Sequence, residues 1–184
     1  ELQVDTEKKA PVAWKWRHIP VDSTAVQPDT EVAAAVQKWE HKVSALVDQP
    51  ITVSSKAFNK AGVKRLIEQA MRDELHTDFA FMNLGGVRDV LPAGQILARN
   101  IWNIMPFDNL VVTGRFKGSE LPRVVVGDRK IDPNEEYTLA VSDFTATNQG
   151  AAESLQVNGL KFSSGGPVMR DILLDWFRKK KVLD

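Results

Sequence analysis

Apolar residues recur along this chain with two spacings, and the switches between them predict the order of elements. Residues 1–10 are charged and predict a loose start. From Val12 to Val21 side chains alternate, with Val12, Trp14, Trp16 and His18 on one side and Ala13, Lys15, Arg17 and Ile19 on the other, which predicts a strand. Pro28-Asp29-Thr30-Glu31 marks a helix start, with Asp29 as N-cap and Glu31 in the first turn. Val32, Val36, Trp39, Val43 and Leu46 follow at spacings of four and three, one apolar stripe on a helix that ends near Asp48. A tryptophan in such a stripe predicts a core contact. Trp14 and Trp16 need a partner surface too, either the core of this domain or a preceding one.

Ile51 to Ser54 is β-branched and predicts a short strand. A second helix is expected over 61–75, with Val63, Leu66, Ile67, Ala70 and Met71 inward and Lys60, Lys64, Arg65 and Arg72 on a solvated outer face. The aromatic alternation of Asp78 to Met82 predicts a strand, then the loop Asn83-Leu84-Gly85-Gly86-Val87-Arg88. A short helix over Ala98–Met105 leads to Pro106-Phe107-Asp108-Asn109, and strands are expected over Leu110–Phe116 and Tyr137–Phe144. Leu155–Phe162 predicts a strand or hairpin arm around the turn pair Asn158-Gly159. Gly165-Gly166-Pro167 is read as the start of the last helix, with Val168, Ile172, Leu173 and Trp176 inward and Arg178–Lys181 suited to its C-terminal end. This order predicts an α+β fold, a mixed sheet with helices packed on it.

Composition narrows the chemistry. The 184 residues are 43% apolar, enough for a core without disulfides or metals, and 24 basic residues balance 24 acidic ones. Neutrality argues against binding nucleic acid or an anionic membrane by bulk charge. With no cysteine, thiol catalysis and zinc–cysteine sites are excluded. No apolar run is long enough to span a bilayer. His18, His41 and His76 are scattered, and no nucleophile elbow or Walker loop is present, so the residues offer no metal pair and no hydrolytic machinery. The candidate chemistry lies between Asn83 and Asn109. There, adjacent glycines let a backbone approach a ligand, Arg88 offers a planar fork for phosphate or carboxylate, and Phe107 stands beside Asp108 and Asn109.

In order and spacing, NLGGVRD, PAGQI, IMPFDN and the turn Gly118-Ser119-Glu120-Leu121 resemble the C-terminal domain of the 5'-nucleotidase/UDP-sugar hydrolase family. GDRKIDPNEEYTLAVSDF is similar to that family's turn and strand leading to a second aromatic residue, and MRDILLDWFRKKK to its closing helix. The resemblance implies a domain over 29–184 preceded by a linker and N-terminal strand over 1–28. It implies a clamp in which Phe107 and Phe144 hold a base, Asn109 hydrogen-bonds to it, and Asn83, Gly85 and Arg88 address the rest of a nucleotide or nucleoside. It also implies an N-terminal metallophosphatase domain carrying a divalent metal pair, with no cofactor in this chain, and a periplasmic or extracellular setting.

The chain departs from the family pattern in three places. Asn59 and Lys60 stand where an arginine and a glutamate are usual, Gly150 stands in place of an aspartate that contacts the nucleoside, and the segment after Leu121 is shorter. Asn148 or Gln149 offers neutral hydrogen-bonding groups instead. Two readings follow: a substrate-recognition domain of a 5'-nucleotidase-like phosphoesterase, not catalytic alone, or a structural or protein-interaction module that keeps the fold without nucleotide binding.

Overall fold

A computed structural model describes residues 1–22, 24, 26–155 and 160–184, so the turn expected at Asn158-Gly159 lies outside the described residues. The chain falls into two compact units, Glu1–Lys42 and Val43–Asp184.

The first unit holds an antiparallel hairpin of β1 (Leu2–Asp5) and β2 (Ala10–Trp14). The expectation of a loose start is corrected here. Asp5 Oδ1 accepts from the N–H groups of Glu7 and Lys8, each at 3.0 Å, and Lys9 takes the left-handed conformation (φ 51°) that completes the turn. The strand expected to reach Val21 stops at Trp14. Helix α1 (Thr30–Val47) starts as expected, Asp29 Oδ1 accepting from the N–H groups of Glu31 and Val32. Its stripe is not core: no residue of α1 is buried, and Trp14, Trp16 and Trp39 are exposed as well. A periodic stripe records what a helix is able to bury, and a covering surface is a separate requirement.

The second unit is α+β. Strand β3 (Pro50–Ser54) pairs antiparallel with β5 (Gly94–Leu97). A second sheet has the order β4 (Phe79–Ala80), β7 (Glu136–Ser142), β6 (Val111–Lys117), with β7 parallel to β4 and antiparallel to β6. The side chains of this sheet alternate between two cores. Ala80, Met82, Val111 and Ala140 join the cluster built by α2 (Lys60–Leu75), α3 (Ala98–Ile104) and α7 (Met169–Lys179). Phe79, Phe81, Val112, Phe116, Leu139 and Val141 point the other way, onto Leu121, Val125 and Leu155. Both faces are covered at Val111–Val112 and Leu139–Val141, while the charged residues Arg115, Lys117 and Glu136 lie toward the other, exposed end of the sheet.

Helix α2 is capped at both ends. Asn59 Oδ1 accepts from Gly62 N–H at 2.9 Å, and His76, left-handed at φ 52°, donates its N–H to the Arg72 carbonyl. The inward residues expected for α2 are all buried. Trp176 of α7 donates to Asp73 at 2.8 Å, tying the two helices together. Asp78, at the start of β4, accepts from the backbone N–H and then the hydroxyl of Thr138, which holds its carboxyl below the ordinary range.

The last helix starts later than expected. Residues 166–168 run beside the start of β6 instead: Val111 donates to the Pro167 carbonyl at 2.8 Å, and Leu110 bridges Val168. That pairing keeps Gly166-Pro167 extended, and α7 begins at Met169.

Candidate functional site

Sheet topology brings three loops to one end. Parallel strands β4 and β7 finish together, and antiparallel β6 begins where β7 ends, Val111 standing opposite Ser142. The loop after β4, the loop before β6 and the segment after β7 therefore meet. They enclose a cavity of about 480 Å³ lined by all of Asn83, Gly85, Arg88, Phe107, Asn109 and Phe144. Met82, Gly86, Ser142, Asn148, Gly150 and Ala151 complete its lining.

Each loop is fixed by its own chemistry. Leu84–Gly86 forms a single 3-10 turn, with Gly86 N–H donating to the Asn83 carbonyl at 3.0 Å. The two glycines were expected to let the backbone approach a ligand, and neither needs a left-handed conformation. The space around Gly86 explains that glycine instead: a Cβ there would lie 2.4 Å from Met82 Cε and 3.0 Å from Asn83 Oδ1. Arg88 N–H donates to the Ile104 carbonyl, and its guanidinium stands 5.8 Å from the centre of the Phe107 ring.

Phe107 is 42% exposed and Phe144 is 44% exposed, unusual for rings in a unit whose other phenylalanines are largely covered. Phe144 does not extend β7 as the apolar run predicted. Ser142 Oγ accepts from Thr145 N–H at 3.0 Å and caps a short helix, α5 (Asp143–Thr147), which carries Phe144 at the cavity wall. Asn148 in turn caps the next short helix (Gln149–Ala152) by accepting from Ala151 N–H, so its side-chain oxygen serves the backbone.

Two residues that sequence reasoning passed over organise this end. Asp143 Oδ1 accepts from Asn109 Nδ2 at 3.0 Å and from Phe144 N–H at 2.7 Å, linking the two loops that bear the rings. Because a carboxylate only accepts, Asn109 must present its amide nitrogen to Asp143, and its carbonyl oxygen stays free of that contact. Arg170, on the buried face of α7, donates from one nitrogen to the carbonyls of Met105 and Phe107, each at 3.2 Å, and from another to Asp108. Its guanidinium stacks 3.6 Å from the centre of the Trp102 ring. The signal for Arg170 was a cation between Met169 and Ile172, inside an apolar stripe where arginine is seldom found without partners.

Among the described residues no three His, Asp or Glu side chains gather closely enough to hold a metal ion, and the three histidines are exposed, on separate segments. These residues do not fit a dinuclear centre. No described helix is long and apolar enough to cross a membrane.

Residues 38–127 match the family described as 5'-nucleotidase, C-terminal domain. Among characterised proteins the chain is similar to Endonuclease YhcR of Bacillus subtilis, 28% identical over 156 residues that cover 80% of this chain and 12% of that protein. It is similar to Protein UshA of Yersinia enterocolitica, 32% identical over 97 residues, 52% of this chain and 18% of that protein. The crystal structure of a 5'-nucleotidase precursor from Thermus thermophilus superposes with a TM-score of 0.71 at 18% identity, over 100% of this chain and 46% of that one, a likeness of fold. The chain thus spans less than half the length of each of these relatives. With the motifs in order and the fold shared, residues 38–127 of this chain belong to the 5'-nucleotidase C-terminal domain family.

Proposed function

We propose that the cavity bearing Phe107 and Phe144 receives a nucleoside or nucleotide, and that the domain serves as the substrate-recognition part of a 5'-nucleotidase-type phosphoesterase. The observation that carries this reading is the convergence of two half-exposed rings, an arginine and two asparagines from three separate loops on one cavity. Its volume of about 480 Å³ lies within the range of roughly 300–1,000 Å³ usual for small-molecule sites. Rings at a cavity wall suit a nucleobase, because every base has a π face and stacking tolerates them all. The Asn109 carbonyl oxygen accepts from a base amine, and Asn83 and Arg88 address the sugar and charged parts.

On this reading phosphoester hydrolysis falls to a metallophosphatase domain, supported by the lack of any grouping of three His, Asp or Glu side chains among the described residues. A periplasmic or extracellular setting belongs to the same reading. Isothermal titration of this chain with adenosine and AMP tests it. Binding is expected, and Phe107→Ala weakens it about ten- to a hundred-fold, as loss of a base-stacking partner typically does. Wild-type protein that binds neither ligand overturns the reading and leaves a structural or interaction module.

A further inference from the structure

The outer face of α2 lines a second site that shares no residue with the Phe107–Phe144 cavity. A groove of about 380 Å³ there is lined by Lys64, Arg65, Arg72 and Arg129, with Glu68 as its one acid. Glu68 is already engaged: it pairs with Lys64 and accepts from Met82 N–H at 3.1 Å. No described carboxylate stands within ion-pair distance of Arg65, Arg72 or Arg129.

Arg129 is also held rigidly. Its guanidinium lies 3.8 Å from the centre of the Phe79 ring and donates to the carbonyls of Asp78 and Val125. Burial first, and then the Arg72 charge, push its pKa below the usual guanidinium range, while the Asp78 carboxylate opposes this. Four cations set against the single Glu68 carboxylate leave the groove with an excess of positive charge that an anion relieves, and guanidinium forks match phosphoryl oxygens in geometry.

The groove does not end at Arg65. That side chain also lines an adjoining cavity of about 490 Å³ with Lys56 and Asn59, where Asp184 is the one acid. Arg65 and Arg72 are seven residues apart on α2, about 10 Å along its axis at 1.5 Å per residue. Cations therefore line a track rather than a point, which suits a ligand with several charges in a row. The neutrality of the whole chain does not oppose this, because charges beyond about 8 Å are largely screened at physiological salt.

We propose that this track binds a chain of phosphoryl groups, as in inorganic polyphosphate or the backbone of a single-stranded nucleic acid. Tripolyphosphate and a labelled oligothymidylate of roughly 12 nucleotides distinguish the two sources, titrated at about 50 mM salt and then at rising salt. Binding is expected with a dissociation constant of about 10⁻⁴ to 10⁻⁶ M, weakening as salt rises. In Arg65→Ala/Arg72→Ala the oligonucleotide salt slope falls by about 1.4, roughly 0.7 for each phosphate that is no longer neutralised.

Binding of both ligands, weakened in the double variant, assigns a nucleic-acid backbone; binding of tripolyphosphate alone, equally weakened, assigns polyphosphate. Either supports the track. Failure of both to bind overturns it, as does binding that the double variant leaves unchanged or that only Phe107→Ala abolishes. If the double variant melts early, Arg65→Glu repeats the test at an exposed helix position.

Discussion

Arg170→Met is expected to cost this domain about 2–4 kcal/mol of stability and to weaken nucleoside binding beyond that loss. Methionine keeps much of the length and the contact with Trp102, but it has no donors. The Met105 carbonyl then loses its partner in a buried place and the Phe107 carbonyl in a part-buried one, and a buried group left unpaired costs about 1–3 kcal/mol. The Asp108 pair adds little, because that carboxylate is 82% exposed and water replaces the contact. Asp108→Ala is therefore expected to change stability by less than about 1 kcal/mol, although it removes the carboxylate that Arg170 meets. Urea unfolding of the two variants separates the cases. Unfolding of Arg170→Met at the wild-type midpoint would contradict this assignment, as would greater damage from Asp108→Ala.

Gly166→Ala is expected to be as severe, at about 3 kcal/mol or more, by a different route. A Cβ at this position would fall 1.8 Å from the Val111 carbonyl oxygen and 2.9 Å from its carbon. Both are backbone atoms of β6, so no side chain can turn aside and the strand itself must move. That shift breaks the pairing of Val111 with Pro167 and of Met169 with the Asn109 carbonyl, 2.8 Å each, directly beneath the loop that carries Phe107. Gly165→Ala is the matched control, since a Cβ there meets nothing within 4 Å. Thermal melts should place Gly165→Ala near wild type and Gly166→Ala well below it. Equal melting of the two would show that the approach of 166 to β6 is not a constraint.

Much of this architecture was legible because periodicity and burial coincide in it. The inward residues of α2 are buried, and the alternation in Phe79–Met82 divides between two cores. The loops bearing the six candidate residues meet because each was placed at a strand end, and the topology puts those ends together. Where reading failed, a local hydrogen bond outweighed the pattern. The Asp5 turn makes a hairpin from a charged run, and the Ser142 cap turns Phe144 out of its strand into a helix.

Long-range contacts were less accessible still. Nothing around Arg170 in the sequence points to carbonyls 63 and 65 residues away, and nothing near Gly166 announces the approach of Val111. The α1 stripe failed for the opposite reason: its periodicity is real, yet no residue of that helix is buried.

The central claim is that a nucleobase stacks at the wall formed by Phe107 and Phe144. A crystal of this chain soaked with adenosine tests it most directly. Density for the base is expected against both rings, with the Asn109 carbonyl oxygen within hydrogen-bonding distance of its amine. Adenosine bound elsewhere on the protein, with the cavity between these loops filled only by water, would contradict it.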